Sequence, residues 1–131
     1  MKFLQPEGWA PAKGYANGIQ ARGEIVVTGG LVGWNKDQVW ETDDFVGQCE
    51  QTFENIVAVL AEAGAGPENL VRLTWYVTDK QEYLANLPGL GEAYRRIIGR
   101  HFPAMAVVQV VALIEDRAKV EIEATAIIPD G

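Results

Sequence analysis

The chain has 131 residues, 48% apolar and 22% charged, the profile of one globular domain rather than of a disordered or membrane-embedded chain. It contains no serine, one cysteine (Cys49) and one histidine (His101), which excludes serine nucleophiles, an internal disulfide and the usual zinc ligand sets. Eleven basic against eighteen acidic residues give a net charge of −7, the wrong sign for gripping the phosphate backbone of a nucleic acid.

In chain order, Met1–Gly8 holds no apolar run of signal-peptide length, and no stretch reaches the ~20 apolar residues of a membrane span. With a free thiol, this predicts a cytoplasmic protein without a membrane partner. Ala16–Ala21 and Glu24–Thr28 read as short extended segments joined at Arg22-Gly23 in a hairpin-like turn. Gly29-Gly30 ends the second segment, and Leu31–Trp40 reads as a loop. Thr42, Asp43 and Asp44 offer N-caps to a helix. Its apolar residues Phe45, Cys49, Phe53, Ile56, Val57 and Leu60 recur at helical spacing, and Gly64 is placed to end it.

From about Asn69, Val71, Leu73, Trp75 and Val77 alternate with Arg72, Thr74, Tyr76 and Thr78, the pattern of a half-buried strand. Asp79 can cap a second helical region, which turns near Tyr83-Leu84 and resumes around Pro88 with Leu90, Tyr94, Ile97 and Ile98 as its apolar stripe. Arg95, Arg96 and Arg100 crowd its last turns and read as a solvated face complementing the helix dipole. Ala104–Ile114 is apolar almost throughout, as in a strand buried on both faces. After a turn at Glu115–Arg117, Lys119–Ile128 alternates again, with Val120, Ile122, Ala124 and Ala126 opposite Glu121, Glu123, Thr125 and Ile127.

The predicted fold is therefore α+β: a single domain over 1–131, ordered β-β-α-β-α-β-β, with a mixed sheet covered by two helices on one face. Its strand-helix-strand connections should be parallel, right-handed crossovers. Because Ala104–Ile114 is apolar on both sides, the bare face is expected to meet another subunit.

Few residues point to chemistry by spacing alone. Gly29-Gly30-x-x-Gly33 lacks both the following helix and the Gly-Lys-Ser/Thr ending of a phosphate loop. His101 reads as a helix-terminal cation and Cys49 as an inert core thiol. Trp34 and Trp40 are loop aromatics that either wall a ligand pocket or cover a subunit seam. Glu121 and Glu123 share one face of the last strand, either solvated or held in a site.

Several segments, taken in order, carry a family likeness. Gly14-Tyr15-Ala16-Asn17-Gly18 and Ile25-Val26-Val27-Thr28-Gly29-Gly30 come first. Gln51-Thr52-Phe53-Glu54-Asn55 and Leu73-Thr74-Trp75-Tyr76-Val77-Thr78-Asp79 follow. Phe102-Pro103-Ala104 and Val120-Glu121-Ile122-Glu123-Ala124 close the series. Together they resemble the Rid family, the reactive intermediate deaminases of the YjgF/YER057c/UK114 group.

The resemblance implies a chorismate-mutase-like fold and a homotrimer with clefts between neighbouring subunits. It implies hydrolysis of enamines and imines, releasing ammonia, without metal or organic cofactor. It places Tyr15, Thr28, Gly29, Met105 and Val107 against a small-molecule ligand and gives Glu121 the catalytic water. Two positions depart from the family pattern. Met105 stands where an arginine would pair with the substrate carboxylate, and Gly91 where an asparagine is often found.

Losing such a charge-assisted pair costs about 1.5–3 kcal/mol of binding. The pocket should therefore be more apolar and take a less acidic or aromatic substrate, unless another arginine, Arg72 or Arg22, reaches the vacated position. The alternative to catalysis is a trimeric protein that binds or scavenges a small molecule. A ribonuclease reading is opposed by the net charge, the lack of a basic stripe and the single histidine.

Overall fold

The computed structural model describes residues 1–130. Four short strands open the chain: β1 (Lys2–Phe3), β2 (Ile19–Gln20), β3 (Glu24–Val27) and β4 (Leu31–Val32). Helix α1 (Phe45–Glu62) and a single 3-10 turn (Pro67–Asn69) lead into β5 (Leu70–Val77). Helices α2 (Lys80–Ala85) and α3 (Leu87–Ile97) precede the closing strands β6 (Ala104–Gln109) and β7 (Val120–Ile128).

The main sheet runs β3-β7-β5-β6, with β4 also on β7. Strands β5 and β6 are parallel, and β3, β4 and β5 are all antiparallel to β7. The chain therefore crosses over through α1 between strands of like direction, and again through α2 and α3. The α+β class with a mixed sheet is as expected. A third helix arises because the second helical region breaks at Asn86.

Local chemistry explains the helix boundaries. Asp44 caps α1 by accepting a hydrogen bond from the Gly47 amide at 2.8 Å, and Thr42 Oγ1 accepts from the Asp44 amide. Such a cap contributes about 1 kcal/mol. Gly64, at φ 75°, ends the helix in the left-handed conformation that glycine adopts at little cost. Asp79 caps α2 through the Gln81 and Glu82 amides.

The core lies between the helices and one face of the sheet. Phe45, Cys49, Phe53, Ile56 and Leu60 of α1 meet Leu73, Trp75 and Val77 of β5, Val120 and Ile122 of β7, and Leu90 and Tyr94 of α3. Gln48, fully buried among them, escapes the apolar pattern. Its amide donates to the Arg117 carbonyl at 2.9 Å and accepts from the Lys119 amide at 2.8 Å. A buried amide without partners would cost a few kcal/mol; here it clamps the turn that enters β7.

Three expectations need correction. The joint at Arg22-Gly23 is not a hairpin: β2 pairs with β1 and β3 pairs with β7, so the chain passes from a small two-stranded sheet to the main one. Leu31–Val32 is a strand rather than loop, because β7 is long enough to accept β3 and β4 end to end on one side. The segment Ala104–Ile114 yields a strand only to Gln109, and β6 is an edge strand, not a doubly buried one. Beyond it Val111 and Ile114 are almost completely exposed, which apolarity alone does not reveal.

Candidate functional site

The register assigns the site residues to faces. Paired residues on neighbouring strands share a face. Leu73 pairs with Met105 and Trp75 with Val107, so Met105 and Val107 lie on the helix-covered side. Tyr76 pairs with Glu121 and Thr74 with Glu123, which puts both glutamates on the open side. Within one chain, Met105 and Glu121 therefore lie on opposite faces of the sheet.

On the covered side, the β6 edge, α2, α3 and the segment around Tyr15 border an open cavity of about 530 Å³, within the usual range for small-molecule sites. Tyr15, Met105 and Val107 line it, as do Gly91, Tyr94 and Phe102. Tyr15 is positioned by the chain beside it: the Ala16 amide donates to the Pro103 carbonyl at 3.0 Å, and Ala16 forms a parallel bridge with Ala104. Tyr94 stacks on Phe102 with centroids 5.2 Å apart, and its hydroxyl donates to the His101 carbonyl at 2.6 Å. Burial raises the Tyr94 pKa, so the phenol stays neutral. Trp75 forms a second aromatic wall against Phe53 and Tyr83. Its buried indole N–H has no hydrogen-bond partner among the described residues.

On the open side, the second group is built around an irregularity. β3 pairs Val27 with Thr125, whereas β4 pairs Leu31 with Ile122. One extra residue is thus inserted at Gly29-Gly30, a β-bulge of the kind that re-aims side chains. Thr28 closes the ladder: its amide donates to the Ala124 carbonyl, and its hydroxyl accepts from the Ala124 amide at 3.0 Å while donating to the Gly29 carbonyl at 2.7 Å. That hydroxyl is engaged within the fold, leaving Gly29 and Gly30 as exposed backbone. The Glu121 carboxylate lies against Gly30. Beside it, Glu123 accepts a 2.7 Å hydrogen bond from the Tyr76 hydroxyl, the main reason the Tyr76 pKa is raised.

The remaining candidates fall elsewhere. A ring nitrogen of His101 meets the Leu70 carbonyl at 2.7 Å, and the ring packs edge-on against Phe3. Cys49 is fully buried, and burial pushes its thiol far above the ordinary range. Trp34 and Trp40 pack together with centroids 5.6 Å apart, on a loop held by Asn55, whose amide donates to the carbonyls of Val32 and Trp34. Among the described residues, no cluster of His, Cys, Asp and Glu is arranged to hold a metal ion, and no helix is long and apolar enough to cross a membrane.

Within one chain, neither Arg22 nor Arg72 lines the Met105 cavity. Arg22 lines a separate cavity beside His101, and Arg72 pairs with Ala104 on the open side. The arginine in the Met105 cavity is Arg95. Arg95 is exposed, as its place in the last turns of the helix predicts, and it also borders this cavity. The available signal was its spacing, four residues after Gly91 and hence on the same helix face.

Fold and site together define a small α+β protein with its candidate residues divided between the two faces of one sheet. The family model described as Endoribonuclease L-PSP matches residues 7–128, and the chain belongs to that family, the YjgF/Rid family. A 2-iminobutanoate/2-iminopropanoate deaminase of Salmonella typhimurium is 30% identical over 113 residues, 86% of each chain. A RutC family protein of Aquifex aeolicus is 31% identical over 78 residues, 60% of this chain and 62% of that one, so the match spans less than two thirds of that relative. The crystal structure of YyfB from Yersinia pestis, a member of the conserved Rid protein family, superposes with a TM-score of 0.85 at 30% identity, covering 97% of this chain and 98% of that chain. The fold is thus the chorismate-mutase-like fold of this family.

Proposed function

We propose that the protein is a hydrolytic deaminase of enamines or imines, acting without metal or organic cofactor in clefts between the subunits of a homotrimer. The observation that carries this reading is the division of the candidate residues. Tyr15, Met105 and Val107 lie on one face of the sheet, Glu121 with Gly29 and Gly30 on the other. A site using both groups needs a second copy to supply the complement. The exposed side chains of Ile25, Val27 and Val108 provide apolar surface for such contact. The name of the Salmonella relative, a deaminase of 2-imino acids, supports the reaction class.

In this reading the ligand lies against Tyr15, Met105 and Val107, and the Gly29 backbone and Thr28 border the cleft. Glu121 accepts a proton from water as the oxygen bonds to the imine carbon and the C=N π pair moves to nitrogen. The protonated carboxyl returns that proton to the nitrogen, giving a carbinolamine. Glu121 then takes the hydroxyl proton and passes it to the amine, so that the C–N bond breaks as the C=O bond forms and ammonia leaves a carbonyl product. Methionine at position 105 offers no charge and no strong donor, so the substrate is a less acidic or aromatic one.

The test is ammonia release from imines generated in place by an amino-acid oxidase. Glu121→Gln should lose about a hundredfold or more in turnover. Absence of turnover with every imine, or unchanged turnover in the variant, overturns the mechanism. Binding without turnover in the wild-type protein establishes instead a small-molecule binding or scavenging protein.

A further inference from the structure

The charge missing at position 105 reappears elsewhere in the cavity. A β-carbon placed on Gly91 would stand 3.1 Å from Nη1 of Arg95. The guanidinium thus folds back over Gly91, toward the N-terminus of α3, the direction helical side chains favour. Both residues line the same cavity as Met105. A β-carbon at position 91 would crowd the guanidinium by a few tenths of an ångström, so the glycine leaves it room in this position.

Arg95 is also uncommitted. Arg96 pairs with Glu50 at 3.2 Å and Arg117 with Asp43 at 3.0 Å. Among the described residues, Arg95 has no carboxylate within ion-pair distance. The cavity lining includes a second cation, Lys13, and neither aspartate nor glutamate. In a chain of net charge −7, the charged side chains that one chain's described residues contribute to this cavity are thus both cations. The same cavity is lined by the stacked rings of Tyr94 and Phe102, with Trp75 and the Met105 side chain. A guanidinium beside aromatic and thioether walls fits an anionic group, a carboxylate above all, on an aromatic body.

We infer that Arg95 is the anion anchor of this cavity, and that the preferred ligand is an aromatic carboxylate or imino acid rather than a small aliphatic one. The inference rests on the reading that this cavity receives the ligand, and it selects the aromatic class from those left open above. Gly91 and Met105 then act together: one makes room for the displaced arginine, and the other turns the vacated position into an apolar wall.

The test compares 3-phenylpropanoate with its uncharged isostere 3-phenylpropanamide, titrated calorimetrically into the full-length protein at low salt. The wild-type protein should bind the carboxylate about tenfold or more tightly than the amide. Arg95→Gln should reduce the preference to about twofold or less without weakening amide binding, and Arg95→Lys should retain part of it. Arg96→Gln, altering a cation outside the cavity, should leave it intact. Equal affinities in the wild type, a preference that survives Arg95→Gln, or no binding of either probe at about 10 mM overturns the inference. Binding is read without turnover, so failure of the deaminase mechanism and failure of the anchor are separate results.

Discussion

The carboxylate of Glu121 rests against the bare α-carbon of Gly30: a β-carbon there would stand 2.7 Å from Oε2. The contact joins β7 to the bulge between β3 and β4. It predicts that Gly30→Ala displaces the carboxylate rather than the backbone, because the flexible end of a side chain can move. Stability to urea should change by less than about 1 kcal/mol. Turnover should fall by about tenfold to a hundredfold with KM little altered, since catalytic groups tolerate displacements of about 1 Å poorly. A fully active Gly30→Ala protein would separate Glu121 from the reaction.

Met105→Arg provides a complementary test. The cavity has a volume of about 530 Å³, enough to admit the longer side chain. A guanidinium there should lower KM for a small aliphatic imino acid by about tenfold or more through a charge-assisted pair. Steady-state kinetics with alanine-derived and phenylalanine-derived imines would read the change as a shift in preference toward the smaller substrate.

Gln48→Ala should be among the more destabilising polar substitutions in the chain. It removes the partners of the Arg117 carbonyl and the Lys119 amide and leaves a cavity beneath the turn. The expected cost is about 2–4 kcal/mol, seen as a lower urea midpoint at unchanged slope.

Stability should also fall on the alkaline side. Burial, with added repulsion from Asp44, Glu50 and Glu82, raises the Cys49 thiol well above its ordinary 9.0. Above about pH 9 the unfolded chain releases this proton while the folded chain keeps it, so unfolding gains about 1.4 kcal/mol per pH unit. The contribution is fully present below pH 9 and lost as pH rises. Tyr94, raised by burial from 10.0, steepens the loss from about pH 10. Urea titrations should show the onset moved toward pH 10 in Cys49→Ala; identical slopes would assign the loss to other groups.

Much of this architecture was legible from periodicity and caps. The stripe from Phe45 to Leu60, the Asp44 and Asp79 caps, and the alternation of Leu73, Trp75 and Val77 all report local chemistry that a short window of chain contains. Strand pairing was less accessible. The joint at Arg22-Gly23 is as tight as a hairpin turn, yet β2 and β3 enter different sheets because their partners, β1 and β7, lie far away along the chain. The bulge at Gly29-Gly30 was likewise invisible, since it exists only against the register of β7.

The sequence by itself determined the apolar faces, the family likeness, and the methionine at position 105 with its loss of charge, because residue identity and period decide these directly. Only the tertiary structure decided that Met105 and Glu121 lie on opposite faces of one sheet, and that within one chain Arg95, rather than Arg22 or Arg72, lines the Met105 cavity. The first follows from strand register, the second from the direction of one long side chain over a glycine. Both are distances through space that spacing along a chain does not encode.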